Sequence, residues 1–178
     1  TLVELLAVML IIAVLISLVV AVSNWVREEA ARKKTAAIQD IAMQAVQAFY
    51  DEVGRYPGIG IDSEDDVDND LDDDPPDDPA DDDTTAVLLE YLHAEDDRVE
   101  FDSDEDLCTA VRAATRQFLT ELPAGAMDAD GEHLLDGYKN RMHYDPTGGL
   151  GGRRPVLISA GPDGDFDKQK DNIRSDGG

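Results

Sequence analysis

The sequence predicts an α+β fold: one long N-terminal α-helix, apolar in its first half, packed on a small globular part of short helices and a small antiparallel β-sheet. Three observations predict it. No glycine or proline falls between Leu2 and Glu52, so nothing breaks a helix there. Two more stretches of helical periodicity follow in the middle of the chain. The tail then carries short apolar or aromatic runs separated by Gly, Asp and Pro, the punctuation of a small sheet.

Size and charge narrow the partners. The 178 residues hold 40 acidic and 15 basic side chains, a formal net charge of −25. A phosphate backbone is repelled by such a surface, which excludes a nucleic-acid binder built on basic charge. Cys108 is the one cysteine, so no intramolecular disulfide framework exists, and no Cys/His spacing points to zinc. His93, His133 and His143 are scattered, with no HExxH, no nucleophile elbow and no phosphate-binding glycine loop. The expectation is a protein that is not an enzyme.

From Leu5 to Val22 the chain has eighteen residues with one polar member, Ser17. As a helix, residues 1–26 span about 39 Å at ~1.5 Å per residue, enough for a hydrocarbon core of ~30 Å. A cleaved secretory signal has a shorter apolar stretch and ends at a small-residue cleavage site. Here the run continues into a polar helix, so a membrane-spanning helix is expected. Glu4 interrupts it. A carboxylate in lipid costs roughly 2.5 kcal/mol or more on insertion scales, so Glu4 either lies wet at the headgroups or meets a cation from another chain.

Residues 27–53 continue the helix in amphipathic form. Ile38, Ile41, Ala42, Ala45, Val46 and Phe49 recur at steps of three and four, one stripe for a globular part to cover. Trp25 falls where the apolar run ends, as an interfacial anchor does. Arg27, Arg32, Lys33 and Lys34 follow it, either as membrane-proximal solvation or as partners for acids of neighbouring copies. Gly54 suits the position just past the helix, and Pro57 stops any continuation.

Residues 54–178 form the globular part. Within it, residues 62–83 hold fourteen Asp or Glu and neither Lys nor Arg, so a solvated loop is expected. Its Asp66, Asp68, Asp70 and Asp72 alternate as in oxygen cages for Ca²⁺, without the glycine of an EF-hand turn. Residues 84–93 and 104–122 read as helices, the first capped by Thr84 or Thr85. Cys108 lies near the apolar stripe of the second, as a small buried hydrophobe. Strands are expected at 132–135, 141–144 and 155–160.

The last loop carries chemistry of its own. Asp163, Asp165, Asp167 and Asp171 lie within nine residues, after the glycine of Ser159-Ala-Gly161. Such a loop gathers the six to eight hard oxygens that Ca²⁺ takes, whereas Mg²⁺ demands a tighter octahedron. The carbonyls of Ile158 and Ser159 are possible additional ligands. Asp128-Ala-Asp130-Gly131 is a weaker second candidate that reads first as a turn.

Several of these residues together resemble a known family. Thr1-Leu-Val-Glu4-Leu-Leu, opening a long apolar helix, is similar to the amino terminus of type IV pilins and type II secretion pseudopilins. There a prepilin peptidase removes a leader and the new first residue, usually an N-methylated phenylalanine, precedes Thr-Leu-Val-Glu. The resemblance therefore implies one residue ahead of Thr1. It also implies that Glu4 neutralises the N-terminal amine of a neighbouring subunit, pairing two charges that would be costly to bury singly. Many relatives carry a glycine and a proline in the first half of the helix, where Ala13 and Ala21 stand here.

Further motifs sharpen the likeness. Tyr50-x-x-x-Gly54-x-Tyr56-Pro57 and the loop from Ser159 through Asp163-Gly to Ile173 resemble the G-type major pseudopilins. Asp136-Gly-Tyr138-Lys139 resembles their Asp-x-Trp-Gly, with tyrosine for tryptophan and lysine for glycine. The resemblance covers residues 1–57 and about 132–173. It implies a pilin-like fold closed by a calcium loop over residues 158–173, single-pass insertion in a bacterial inner membrane, and then a periplasmic or extracellular helical homo-oligomer. Minor pilins or pseudopilins and the assembly machinery are the other implied partners. The implied roles are a type II secretion pseudopilus or a surface pilus for adhesion, motility or DNA uptake. A monomeric, membrane-anchored calcium-binding protein is the alternative from a different class.

Overall fold

The computed structural model describes residues 2–58, 84–93, 105–149, 154–168 and 170–177. Three helices, α1 (Leu2–Val53), α2 (Thr84–His93) and α3 (Glu105–Glu121), precede strands β1 (Met142–Asp145), β2 (Val156–Ser159) and β3 (Ile173–Arg174). The expected α+β architecture is present.

α1 runs unbroken for 52 residues, about 78 Å at ~1.5 Å per residue. Its C-terminus follows the sequence: Gly54 takes φ 80° and donates its N–H to the Tyr50 carbonyl at 2.7 Å, a left-handed cap open to glycine without a Cβ penalty. Beyond it Tyr56 stacks on Tyr50 with ring centroids 4.5 Å apart. The two halves of α1 meet different surroundings. Every described side chain from Leu2 to Glu28 is exposed, whereas Thr35, Ile38, Gln39, Ala42, Ala45, Val46 and Phe49 are buried.

That buried stripe carries the core. α3 packs along α1, and α2 packs on α3 and β1. Phe49 meets Tyr91 edge-on at 6.1 Å, and Leu88, Leu92, Val111, Leu134, Met142, Tyr144 and Leu157 complete the cluster. Cys108 is half-buried against it, as a small apolar side chain. The Thr84 hydroxyl accepts from the Tyr144 N–H at 2.8 Å and Thr85 from the Leu134 N–H at 3.3 Å, which ties the start of α2 to the segments beneath it.

The sheet is antiparallel in the order β1-β2-β3. Met142 pairs with Ser159 and Asp145 with Val156, while Ser159 also pairs with Ile173. Both longer strands are buried throughout. Leu157 faces the main core, and Val156, Ile158, Ala160 and Phe166 form a second small cluster.

Two expectations about strands change. Residues 132–135 form no strand; Leu134 and Leu135 make only single bridges, to Met127 and Arg141. The turn at Asp136 reverses the chain at once, and the Leu134 N–H goes to Thr85 instead of a ladder. Conversely, Ile173, expected inside the closing loop, forms with Arg174 an edge strand on β2.

Candidate functional site

The first candidate is the exposed half of α1. Its apolar window is long enough to cross a membrane and none of it is buried. Leu2, Leu5, Val8, Ile12, Leu15 and Val19 are all 47% exposed or more, and Trp25 ends the run at 67%. Glu4 stands in the first turn of the helix, where the amide dipoles favour a negative charge. It is exposed on the same surface. Thr1 lies outside the described residues. Past Trp25, Arg32 pairs with Glu28 at 2.9 Å and Lys33 with Glu29 at 3.2 Å, both i,i+4 pairs on the exposed side of the helix.

The second candidate is the loop that joins β2 to β3. Its base is built first. Asp136, with no exposed surface, accepts from the Tyr138 N–H at 2.8 Å and the Asn140 N–H at 2.9 Å through one oxygen. Its other oxygen accepts from the Ser159 hydroxyl at 2.7 Å. Ser159 Oγ in turn accepts from the Gly161 N–H at 3.1 Å, and Asn140 Nδ2 donates to the Gly161 carbonyl at 2.9 Å. Burial pushes the Asp136 carboxyl above its ordinary range, against these hydrogen bonds, which favour the charged form.

Gly161 closes the loop. Its φ is 72°, and a Cβ there would fall 2.4 Å from the Asp171 carbonyl oxygen. Only glycine lets the two ends of the loop approach this closely. Phe166 is buried in the second cluster and holds the loop's middle inward.

Of the four predicted carboxylates, two are brought together. Asp163 and Asp165 come together: the Lys168 ammonium forms ion pairs with Oδ2 of Asp165 and, at 3.4 Å, with Oδ2 of Asp163. That contact holds Asp165 below the usual carboxylate range and Lys168 above the usual lysine range. Asp167 and Asp171 do not join them, and among the described residues no three His, Cys, Asp or Glu side chains converge. Ile158 and Ser159 lie in the central strand, with ladder partners on both sides, so their carbonyls run in the plane of the sheet.

Two residues of this loop escaped the sequence reading. Asn172 donates Nδ2 to the Phe166 carbonyl at 2.8 Å, which fixes the amide's orientation, and its Oδ1 is buried and accepts no hydrogen bond. An amide beside Asp171 in an acidic loop was the available signal. Lys168 was the other, three residues after Asp165.

The weaker candidates resolve differently. Asp128 Oδ1 accepts from the N–H groups of Glu132 and His133 at 2.9 and 3.3 Å, and Oδ2 lies 2.8 Å from His133 Nδ1. Partial burial pushes Asp128 upward, but the His133 contacts prevail and hold it below the carboxylate range. Both oxygens thus serve the turn, and Asp130 is exposed beside it. Asp66, Asp68, Asp70 and Asp72, with the acidic segment 62–83, lie outside the described residues. Comparison with family models, with curated proteins and with solved structures gives no match.

Proposed function

We propose that this chain is a structural subunit of a helical, type IV pilus-like filament, and within that class the major pseudopilin of a type II secretion system. One observation carries the reading. A single continuous helix is wholly exposed and apolar for its first half and docked into a folded head by its second. Such a surface has two solvents available, lipid or other apolar helices. A subunit that exchanges the first for the second uses both, standing in the inner membrane before assembly and in a periplasmic or extracellular fibre afterwards.

Glu4 is the residue that distinguishes filament from anchor. Moved into a bundle of identical helices, its carboxylate needs a cation, and the N-terminal amine of the adjoining copy supplies one at a fixed axial step. Minor subunits and the assembly machinery are the remaining partners of this reading.

The loop between β2 and β3 belongs to the same reading as a Ca²⁺ site. Its donors are hard oxygens, which suit Ca²⁺, and the buried Asn172 Oδ1 without a hydrogen-bond partner is the feature a cation would satisfy. Asp163, Asp165, Asp167, Asp171 and Asn172 are the side chains that would hold it. The ion would supply charge neutralisation and join the loop's two ends.

Glu4→Ala in the full chain, expressed with its secretion machinery, tests the assembly reading by electron microscopy of sheared material beside membrane fractionation. Wild-type chains should yield fibres, and the variant should insert in the membrane and yield none. Fibres from both, or from neither, would overturn it, the latter in favour of a monomeric anchored protein. Fibre length separates a short secretion pseudopilus from a surface pilus.

A further inference from the structure

Asp163 and Asp165 are already engaged by a cation from within the chain. Asp163 Oδ1 accepts from the Asp165 N–H and Asp165 Oδ1 from the Asp167 N–H, each at 3.1 Å. These two bonds fix the carboxylates and leave both Oδ2 atoms for another partner. Both Oδ2 atoms lie on the same Lys168 ammonium. The turn that brings it there is local, since the Lys168 N–H donates to the Asp165 carbonyl at 3.3 Å.

We infer that Lys168 is a built-in counter-cation that competes with a divalent ion for Asp163 and Asp165, so that this loop binds calcium only above a raised threshold. The inference rests on the calcium reading of the same loop. An ammonium carries one charge and three donors, whereas Ca²⁺ carries two charges and takes six to eight oxygens. It can relieve the repulsion between the two aspartates, but it cannot gather the further oxygens that a divalent ion takes. Before any metal binds, the two aspartates are therefore held by Lys168.

Exchange between the two cations is feasible. The Lys168 side chain is 64% exposed, and its flexible stem can swing the charge into water. An exposed pair is worth little on its own, so calcium is weakened rather than excluded. Removing the ammonium also removes a like charge beside the metal. Together these terms give roughly a tenfold gain in calcium affinity at low ionic strength, smaller as salt screens the charge.

The test compares wild type, Lys168→Met and Lys170→Met as full-length chains in detergent micelles. Lys170→Met is the control, because it deletes the same charge two residues away on an exposed side chain. Calcium binding is followed by titration calorimetry, and thermal unfolding is recorded in chelator and in excess calcium. The expected result has three parts: K168M binds calcium about tenfold more tightly than wild type, K170M stays within about twofold, and K168M melts below wild type in chelator but not in calcium. Equal calcium affinities of wild type and K168M would overturn the competition and leave the calcium reading standing. Failure of all three chains to bind calcium would overturn the calcium reading, and the competition with it.

Discussion

Gln39 Nε2 donates to the Ile173 carbonyl at 2.7 Å and to the Leu157 carbonyl at 2.9 Å, so one amide on the long helix holds two neighbouring strands. The side chain is 2% exposed, and it stands in the buried stripe where an apolar residue would ordinarily sit. Because Ile173 directly follows Asn172, the same amide fixes where the candidate metal loop ends. Substitution by an isosteric apolar residue removes the amide donor from both carbonyls, of which Leu157 keeps the Ser175 N–H at 3.0 Å. Gln39→Leu should destabilise the head by about 1–3 kcal/mol, since each of the two lost hydrogen bonds is worth about 0.5–1.5 kcal/mol. Urea unfolding of the full chain in detergent measures it. Gln44→Leu is the comparison, because Gln44 is exposed and bonds only one turn back along its own helix; it should change stability by under about 0.5 kcal/mol.

Gly137 is a second point where the head grips α1. Its N–H donates to Thr35 Oγ1 at 2.9 Å, and a Cβ there would lie 2.0 Å from the Ala31 carbonyl oxygen. Gly131 is a contrasting site, with φ +78° but nothing within 4 Å of a Cβ. Gly137→Ala should therefore cost about 3 kcal/mol, at the upper end for overpacking, because backbone and not a flexible side chain must move. Gly131→Ala should cost only about 1 kcal/mol, the conformational penalty of a left-handed L-residue. Equal losses would show that the turn can retreat from the helix.

Lys139 has φ 80°, the one positive φ on a non-glycine residue among those described. It stands where the resembled family pattern has glycine, and the turn keeps the left-handed backbone despite the side chain. Its Nζ contacts the Gly125 carbonyl at 3.0 Å, on the surface. Releasing about 1 kcal/mol of backbone strain outweighs an exposed contact worth about 0.5 kcal/mol, the low end for a hydrogen bond. Lys139→Gly should stabilise the head by about 0.5 kcal/mol, and Lys139→Val, β-branched at positive φ, should destabilise it by about 1 kcal/mol or more. The order of the three melting temperatures checks the account, and a valine variant as stable as wild type would sink it.

The long helix was legible because its signals are local: no breaker before Gly54, a stripe at three-four spacing, a glycine and a proline at its end. α2 and α3 were legible for the same reason, to within one residue at each end. Position alone could not show what polar residues in the stripe do: Thr35 accepts from the Gly137 N–H in a turn, and Gln39 donates to carbonyls of β2 and β3. The two-residue strand β3 was hidden because its pairing depends on β2, more than ten residues away, and not on its own composition. In the acidic loop, residue types pointed to a cation, but the sequence could not show that Lys168 reaches Asp163 and Asp165 first. Residues 132–135 misled because an apolar pair after a turn reads as a strand wherever it bonds.

Asp136 gives the remaining prediction, and its sign follows from burial. The carboxyl is raised in the folded state by desolvation, partly offset by its bonds from Ser159, Asn140 and Tyr138. Its folded pKa therefore lies above its unfolded one, and as pH rises the unfolded chain releases this proton first. The stability contributed by Asp136 is fully present below the unfolded value near 3.9 and declines as pH climbs through the folded value. Asp136→Asn keeps an acceptor for the Tyr138 and Asn140 N–H groups, turns an amide toward Ser159, and does not titrate. The difference in unfolding free energy, wild type minus D136N, should thus be greatest below the unfolded value and shrink as pH rises through the folded one, by about 1.4 kcal/mol for each unit separating the two. All other titrating groups appear in both chains and cancel. A difference that stays flat would mean that Asp136 titrates alike in both states, and one that grows with pH would mean that its hydrogen bonds overcome burial.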